Sequence, residues 1–220
     1  MQYPITSRNS KLSIKKLQPE PENLERRDRV RVVSLDADVV DHAAAIERVA
    51  ALAERGNGAY VCFGTVHMIM ESHDSPAFGE IVNAADMIVP DGMPLVWMQR
   101  LQGRKTAQRV RANDLMILLC GYAEKHGLSV GFYGGRQEVV DAIVERAAKD
   151  FPGLNVAYAY SPPFRPLTSE EDAQVTDEIG RSGVQILFMG LGCPKQENWM
   201  ASHRSRLTCV MLGVGASFDF

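Results

Sequence analysis

Apolar residues along the chain form short continuous runs, separated by stretches with helical spacing. Six runs predict strands: AYVCFGT (59–65), MIVP (87–90), LSVGFYGG (128–135), NVAYAY (155–160), VQILFMGLG (184–192) and TCVMLGVGA (208–216). Strands that are apolar throughout, rather than alternating, are typical of parallel sheets buried on both faces. The pattern therefore predicts an α/β fold with a mostly parallel sheet and helices on both faces.

Polar residues at the borders of the intervening stretches indicate where helices begin and end. Asp41 is suited to cap a helix that stops at Gly56, and Ser75 precedes a proline in the manner of an N-cap followed by N1. Thr168 and Glu171 form the sequence of a capping box. Strands and helices therefore alternate along the chain, which predicts one domain over residues 30–220.

Residues 1–29 differ in composition from this domain, because they are polar, charged and contain prolines without a sustained period. They are predicted to form a flexible N-terminal tail. A cluster of Lys11, Lys15 and Lys16 could touch anionic lipid, although a solvated tail is the favoured interpretation. At the other end the chain stops directly after an apolar run, and we expect from this that the domain is truncated at its C-terminus.

Composition narrows the functional classes only slightly. The chain has 220 residues, 45% of them apolar, and a net charge of -3, which gives no indication of a nucleic-acid partner. Its four cysteines form no CxxC pair and its five histidines are scattered, so we predict reduced thiols and no metal site. No apolar run reaches the roughly 18 residues expected of a membrane span.

Candidate functional residues are those that follow the predicted strands, because ligands of parallel sheets bind beyond the carboxyl ends of the strands. Asp91 follows the strand MIVP and precedes Gly92. A carboxylate at such a crevice can act as a general base on a hydroxyl group. The alternative is a turn aspartate that caps the next helix.

Arg109 is a candidate ligand for a diphosphate, since a guanidinium can bind phosphate oxygens in bidentate fashion. An exposed arginine without a ligand is the alternative. The Gly134-Gly135 turn follows a strand and is predicted to offer backbone N–H groups to an anion, although tight turns favour glycine in any case.

The segment GLGCPKQE (190–197) follows another strand and opens a helix. Lys195 or Gln196 could reach phosphate or sugar hydroxyl groups, whereas Glu197 is interpreted as a partner of the helix dipole. The segment GVGASFDF (213–220) contains half of a dinucleotide-binding fingerprint and lacks its third glycine. The chain contains no P-loop and no GxSxG motif. Its one DxD sequence, Asp36 to Asp38, lies upstream of the crevice strands.

A series of motifs resembles the WecG/TagA/CpsF glycosyltransferase family over roughly Val32 to Phe220. In chain order they are TVH, VPDGMPLVW, RLQG, QRVRANDL, FYGG, FPGL, GLGCPKQENWM and GVGASFDF. The resemblance implies a Rossmann-like fold and inverting, metal-independent transfer of a hexose from a UDP-sugar to an undecaprenyl-diphosphate-linked sugar. The hexose would be N-acetylmannosamine, its uronic acid or glucose, and the product an exopolysaccharide, capsule or cell-wall polymer. It implies no cofactor, a peripheral position on the cytoplasmic face of the bacterial plasma membrane, and a possible homo-oligomer.

The resemblance also assigns roles to residues. Asp91 becomes the catalytic base and Arg109 a catalytic residue that contacts the diphosphate. The predicted substrate-binding residues are Thr65, His67, Gly92, Gly134, Gly135, Gly190, Lys195, Gln196, Gly213 and Gly215.

This sequence departs from the family pattern in ways that affect the expected specificity. His67 stands where the T-x-N motif has asparagine, and QRVRAND (108–114) replaces the usual ERVxGTD. The basic, aromatic C-terminal appendage of the family does not follow FDF, so we expect weak membrane contact and weak activity or none. Two other functions remain as alternatives: a non-catalytic or degenerate nucleotide-sugar-binding protein, and an NAD(P)-dependent oxidoreductase.

Overall fold

The computed structural model describes residues 27–219, which form eight strands and eight α-helices. The strands are β1 (Arg29–Val32), β2 (Leu35–Asp38), β3 (Ala59–Gly64), β4 (Met87–Pro90), β5 (Ser129–Gly134), β6 (Asn155–Tyr160), β7 (Ile186–Gly190) and β8 (Val210–Gly213). The helices are α1 (His42–Arg55), α2 (Val66–Asp74), α3 (Pro76–Asn83), α4 (Met93–Leu101), α5 (Ala112–His126), α6 (Gln137–Asp150), α7 (Ser169–Ser182) and α8 (Lys195–His203), followed by a 3₁₀ helix (Gly215–Asp219).

Six strands form one sheet in the order β4-β3-β8-β7-β5-β6, and every neighbouring pair is parallel. All six strands predicted from the apolar runs are present, with ends that differ by a few residues. Because the strands are parallel, their carboxyl ends lie along a single edge of the sheet. The α/β, Rossmann-like fold is therefore confirmed.

Helices cover both faces of this sheet, as predicted. On one face, α1, α5 and α6 pack against inward side chains such as Val61, Phe132 and Phe188. On the other face, α2, α3, α7 and α8 pack against the alternate side chains, including Cys62 and Met189. Burial of both faces explains why the strands are apolar throughout.

The predicted caps are present. Asp41 accepts a hydrogen bond from the Ala44 N–H, and α1 ends at Gly56 in the left-handed conformation. Thr168 and Glu171 form a reciprocal capping box at the start of α7. Helix α2 was not predicted, because the sequence after β3 offers little apolar periodicity; Thr65 caps it by accepting from the Met68 N–H.

An antiparallel hairpin of β1 and β2 precedes the main sheet and was also not predicted. Asp38 at its end is 1% exposed, pairs with Arg27, Arg29 and Arg48, and accepts from the backbone N–H of Ile88. This bond attaches the hairpin to edge strand β4. The described residues begin slightly before the expected boundary at residue 30, and residues 1–26 of the predicted tail, with their lysine cluster, lie outside them. Within residues 27–219, no helix combines the length and apolarity that crossing a bilayer requires.

Candidate active site

Asp91 and Arg109 lie in direct contact at the carboxyl end of β4. Arg109 Nη2 donates to Asp91 Oδ1 at 3.1 Å, and Arg109 Nε donates to the backbone carbonyl of Asp91. The other carboxylate oxygen, Oδ2, accepts from the Ala112 N–H at 3.3 Å. The Asp91 side chain retains 18% exposure, so it faces the crevice and is not packed in the interior.

The backbone around Asp91 is fixed by the neighbouring strand. The amides of Asp91 and Gly92 both donate to the Gly64 carbonyl, at 3.1 and 3.0 Å. A Cβ on Gly92 would lie 3.6 Å from the Cα of Thr65, so the turns after β3 and β4 are in contact. Asp91 does not cap α4, whose N-cap is Gly92, and the alternative of a capping aspartate is therefore excluded.

His67 lies in the first turn of α2, two residues after Thr65, and is exposed. Its Nδ1 is 4.0 Å from a carboxylate oxygen of Glu71. It is also close enough to the Glu197 carboxyl group to interact with it electrostatically. His67 therefore lies on the crevice side of α2, where a polar ligand could reach it.

The glycines after β5 and β7 allow two backbones to approach closely. A Cβ on Gly134 would lie 2.5 Å from the Gly190 carbonyl carbon, and a Cβ on Gly190 would lie 2.5 Å from the Phe218 ring. The N–H of Gly135 donates to the Gly190 carbonyl at 3.0 Å. The expectation that this amide is free for an anion is therefore wrong, because the paired turn itself uses it.

Gln196 joins the turns after β7 and β8. Its Nε2 donates to the Gly213 carbonyl at 2.9 Å and to Glu197 Oε1 at 2.8 Å, while its Oε1 accepts from the Gly192 N–H. The residue is 3% exposed. Both amide hydrogens of Gln196 are thus engaged within the chain, so this side chain positions the turns that carry Gly213 and Gly192. The neighbouring Lys195 is exposed.

Glu197 is fully buried beneath the crevice, in the first turn of α8. Burial raises the pKa of its carboxyl group, and Oε2 has no hydrogen-bond partner among residues 27–219. Burial, together with the nearby Glu197 charge, raises the pKa of the Cys193 thiol to about 12. Glu197 does lie in the first turn of α8, where a carboxylate can interact with the helix dipole, but its burial disfavours the charged form.

The larger of two cavities at this edge has a volume of about 950 Å³ and lies on the α5–α6 side of the glycine turns. Its lining includes Gly135, Arg136, Gly190, Gly192 and Gly215. No side chain of the described residues caps the N-terminus of α6 at Arg136, so first-turn amides of that helix remain open to a ligand. Asn113 also lines this cavity, one residue after the amide that binds Asp91.

A second cavity of about 670 Å³ lies on the α7–α8 side of Gly190. Its wall combines the segment 162–168 with Lys195, Trp199 and Arg206. This segment was not predicted to line the site, although its position after β6 and an aromatic residue, Phe164, among its prolines were signals in the sequence. The two cavities share Gly135, Phe164, Gly190 and Leu191, so they meet at the end of β7.

The predicted site residues thus form two groups along one edge. Asp91, Arg109, Thr65, His67 and Gly92 lie at the ends of β3 and β4. The second group lies at the ends of β8, β7 and β5: Gly134, Gly135, Gly190, Lys195, Gln196, Gly213 and Gly215. Neither cavity is lined by Asp91 itself. Strand β8 is two positions from β4, which at about 5 Å per strand separates the ends of these two strands by roughly 10 Å.

A comparison of the sequence with protein families matches residues 30–220 to the model described as "Glycosyl transferase WecG/TagA/CpsF family". The chain belongs to this family. The match covers the whole main sheet, with both groups of site residues. It confirms the resemblance drawn from the motifs.

Several curated members of the WecG/TagA/CpsF family are similar to this chain. The relative from Bacillus spizizenii is 29% identical over 167 residues, which are 76% of this chain and 63% of the relative. The relatives from Bacillus subtilis and Staphylococcus aureus are 27% identical, over 64% and 74% of this chain and 53% and 63% of their own lengths. All three carry the name N-acetylglucosaminyldiphosphoundecaprenol N-acetyl-beta-D-mannosaminyltransferase. The chain therefore spans less than two thirds of the length of these relatives.

Proposed function

We propose that this protein transfers a hexose from a UDP-sugar to a sugar carried on undecaprenyl diphosphate, with inversion at the anomeric carbon. The observation that carries the proposal is the Asp91–Arg109 contact at the crevice edge, in a chain of this glycosyltransferase family. The names of the relatives support the lipid-linked acceptor, because each names a diphosphoundecaprenol sugar. No cofactor or metal takes part in this scheme, and the enzyme works at the inner face of the plasma membrane.

Asp91 is the general base in this mechanism. Its carboxylate takes the proton of the acceptor hydroxyl group as that oxygen attacks the anomeric carbon of the donor. The bond between this carbon and the diphosphate oxygen breaks at the same time, and UDP leaves with the bonding electrons. Arg109 holds the base in place, and its Nη1, which makes no hydrogen bond to residues 27–219, is available to the diphosphate.

The larger cavity is the proposed place of the donor nucleotide. Arg136 supplies positive charge there, and the open N-terminus of α6 favours an anion. Asn113 lines the cavity at the end nearer Asp91, so a nucleotide bound among the glycine turns would extend its sugar toward the base. Gly215 lines the cavity just after β8, and the roughly 10 Å between the ends of β8 and β4 is a distance that a diphosphate and a sugar ring can bridge.

N-acetylmannosamine is the first sugar to test, because it appears in the names of the relatives. Its uronic acid and glucose are the next candidates, since His67 replaces an amide expected near the substrate. The product would then be an exopolysaccharide, a capsule or a cell-wall polymer. His67 tests this choice directly, because His67→Asn should shift the donor preference toward N-acetylmannosamine.

Two measurements test the proposal. Calorimetric titration with UDP and with NAD should show binding of UDP alone, and binding of NAD in its place would favour the oxidoreductase. Release of UDP is then measured with lipid-linked N-acetylglucosamine and each UDP-sugar, with and without EDTA. Release that persists in EDTA supports the mechanism. UDP binding without turnover on any donor would instead identify a non-catalytic nucleotide-sugar-binding protein.

A further inference from the structure

Positive charge is concentrated in one stretch of the chain. Residues 92–113 contain five basic residues and no acidic residue, although the whole protein carries a net charge of -3. All five are exposed: Arg100, Arg104, Lys105, Arg109 and Arg111. Arg104 pairs with Asp28 and Arg109 with Asp91, while Arg100, Lys105 and Arg111 form no ion pair with residues 27–219. Three uncompensated positive charges therefore remain on this stretch.

The structure folds this stretch back on itself beside α4. Arg100, near the end of α4, donates from Nε and Nη2 to the Ala107 carbonyl, so the segment after α4 turns back beside the helix. The N–H of Val110 then donates to the Pro90 carbonyl, which returns the chain to the end of β4. The basic segment thus runs from the far end of α4 to the crevice at Asp91.

Helix α4 exposes large apolar side chains beside these charges. Its inner face buries Leu95 and Val96, whereas Trp97 is 57% exposed, Met98 38% and Leu101 81%. Trp97 and Leu101 are four residues apart and Met98 and Leu101 three, so they share the outer face of the helix. Exposed apolar side chains grouped on one helix face mark an interaction surface more often than scattered ones do.

We propose that the α4 surface, defined as Trp97, Met98, Leu101, Lys105 and Arg111, binds an anionic lipid bilayer. Tryptophan and leucine beside lysine and arginine are suited to the boundary between headgroups and acyl chains, where the rings and apolar chains insert and the charges contact anionic lipid. A second copy of this chain is a poorer occupant. A two-fold symmetric dimer through the α4 surface would oppose two sets of uncompensated positive charges.

The α4 surface also adjoins the proposed active site. Arg109 belongs to the same segment and contacts Asp91, so binding through α4 would place the crevice at the level of the lipid headgroups. A sugar carried on a lipid diphosphate would be presented at that level. Bilayer binding itself requires no donor and no turnover, so the proposal can fail or succeed independently of the proposed function.

Vesicle binding of the full chain tests the proposal. Co-sedimentation is measured with vesicles of phosphatidylcholine alone and of equal parts phosphatidylcholine and phosphatidylglycerol. We expect binding to the anionic vesicles only, weakened by salt. The paired variant Lys105→Glu/Arg111→Glu should reduce the partition coefficient at least about 25-fold, at about fivefold for each charge. Trp97→Ser/Leu101→Ser should also reduce it, at least about tenfold, by removing the inserted side chains.

A fluorescence measurement shows whether Trp97 enters the lipid. The chain contains two tryptophans, and Trp199→Phe leaves Trp97 as the only one. Its emission should shift to shorter wavelength on addition of anionic vesicles, and lipids brominated in the acyl chain should quench it. An emission maximum that does not move in the presence of bound vesicles would overturn the assignment of α4 as the inserted element.

Matched variants distinguish the α4 surface from charge or apolarity elsewhere. Lys125→Glu/Lys149→Glu reverses two exposed lysines on α5 and α6, and Leu118→Ser removes an exposed leucine of α5. These variants should bind as the parent protein does. Three results would each overturn the proposal. The first is an equal loss of binding in these control variants, and the second is no binding of the parent protein to anionic vesicles. The third is a loss of binding only when Lys11, Lys15 and Lys16 are replaced by glutamine. A change from oligomer to monomer in Trp97→Ser/Leu101→Ser without any change in vesicle binding would also overturn it.

Discussion

Arg109 donates two hydrogen bonds to Asp91, one to its backbone carbonyl and one, at 3.1 Å, to Oδ1 of its carboxylate. The two residues are 18 positions apart, and the Ala112 N–H occupies the other carboxylate oxygen. A carboxylate held at both oxygens keeps one orientation toward the crevice. Arg109 thus orients the base, but only Asp91 would accept the proton and only Arg109 would contact the diphosphate, so substitutions of the two residues should have different effects.

Replacing the base should remove turnover and leave binding intact. Asp91→Asn keeps the size of the side chain and an acceptor for Arg109 or Ala112, but an amide cannot take the proton of a hydroxyl group. We expect UDP release to fall at least about 100-fold, with nearly unchanged UDP affinity and melting temperature. Asp114→Asn, in the first turn of α5, is the control and should retain activity. Full activity of Asp91→Asn would eliminate this residue as the base.

Replacing the arginine should affect both binding and turnover. In Arg109→Lys the charge remains, but an ammonium group cannot contact the Asp91 carbonyl, its carboxylate and a diphosphate together. Loss of one charge-assisted hydrogen bond corresponds to about 10- to 100-fold in kcat/KM for the UDP-sugar. Arg181→Ala removes an exposed arginine that, among residues 27–219, pairs with Asp177 alone, and it should change nothing. A kcat/KM for Arg109→Lys equal to that of the parent would mean that the guanidinium does not contact the donor.

The sheet and its caps were predictable because they depend on local patterns. Fully apolar runs indicate strands buried on both faces, and Asp41 or the Thr168–Glu171 pair has a capping role that neighbouring amides determine. The β1–β2 hairpin was not predictable in this way. Its stability depends on Asp38, which contacts three arginines and the amide of Ile88, 50 residues later. Contacts over such a separation leave no local pattern.

The same distinction applies to the site. Asp91 and the glycine turns were located by the rule for carboxyl ends of parallel strands, and the family motifs agreed with it. The internal role of Gln196 and the burial of Glu197 depend on how α8 meets β8, which the first turn of a helix does not reveal by itself. Sequence therefore indicated which residues gather at the crevice, and the structure distinguishes those that face it from those that support it.

The contact of Gly190 with the Phe218 ring should make position 190 intolerant of a side chain. A Cβ there would lie 2.5 Å from the ring, which is closer than van der Waals contact. We expect Gly190→Ala to destabilise the protein by about 1 to 3 kcal/mol, measured by urea unfolding. Adding Phe218→Leu should recover part of the loss. Gly180→Ala, on the exposed side of α7 with open space around it, should be neutral or slightly stabilising. Equal losses at both positions would show that the ring contact is not the cause.

The buried carboxyl group of Glu197 should make stability depend on pH. Burial raises its pKa in the folded protein above the value in the unfolded chain, so the folded state binds a proton more tightly. Its contribution to stability is complete below about pH 4.3 and is lost as pH rises toward the raised pKa. Glu197→Gln cannot ionise. Its melting temperature relative to the parent should therefore improve as pH increases from about 4 to 8.

Glu171 provides a control of opposite sign. The Arg165 guanidinium and the Thr168 backbone amide lower its pKa to about 2. The stability that it contributes is present above the unfolded value and is lost as pH falls toward 2. Glu171→Gln should therefore lower the melting temperature most near neutral pH and least in acid. Glu197→Gln should show the opposite trend, with its melting temperature relative to the parent highest near neutral pH. A pH-independent difference for Glu197→Gln would contradict the raised pKa.

Val33 occupies the first position of the two-residue turn between β1 and β2 with a φ of 56°. A β-branched residue is strained there by about 1 to 2 kcal/mol, whereas glycine adopts this conformation freely. Val33→Gly removes that strain, loses little packing because Val33 is 62% exposed, and costs about 0.5 to 1 kcal/mol in chain entropy. We therefore expect a net stabilisation of roughly 0.5 to 1 kcal/mol, measured as a rise in melting temperature of about 1 to 4 °C.

The chemistry of the side chain separates strain from hydrophobicity at this turn. Val33→Ala keeps the Cβ and should remain strained, whereas Val33→Asn, which tolerates the left-handed region, should gain part of the effect of glycine. The melting temperature should therefore be highest with glycine at position 33, lower with asparagine, and lowest with alanine or valine. The hairpin also accepts a hydrogen bond at the Arg31 carbonyl from Gln102, just after α4. Slower hydrogen exchange in α4 should therefore accompany the gain in stability of Val33→Gly. A melting temperature of Val33→Gly below that of Val33→Ala would show that Val33 is not strained.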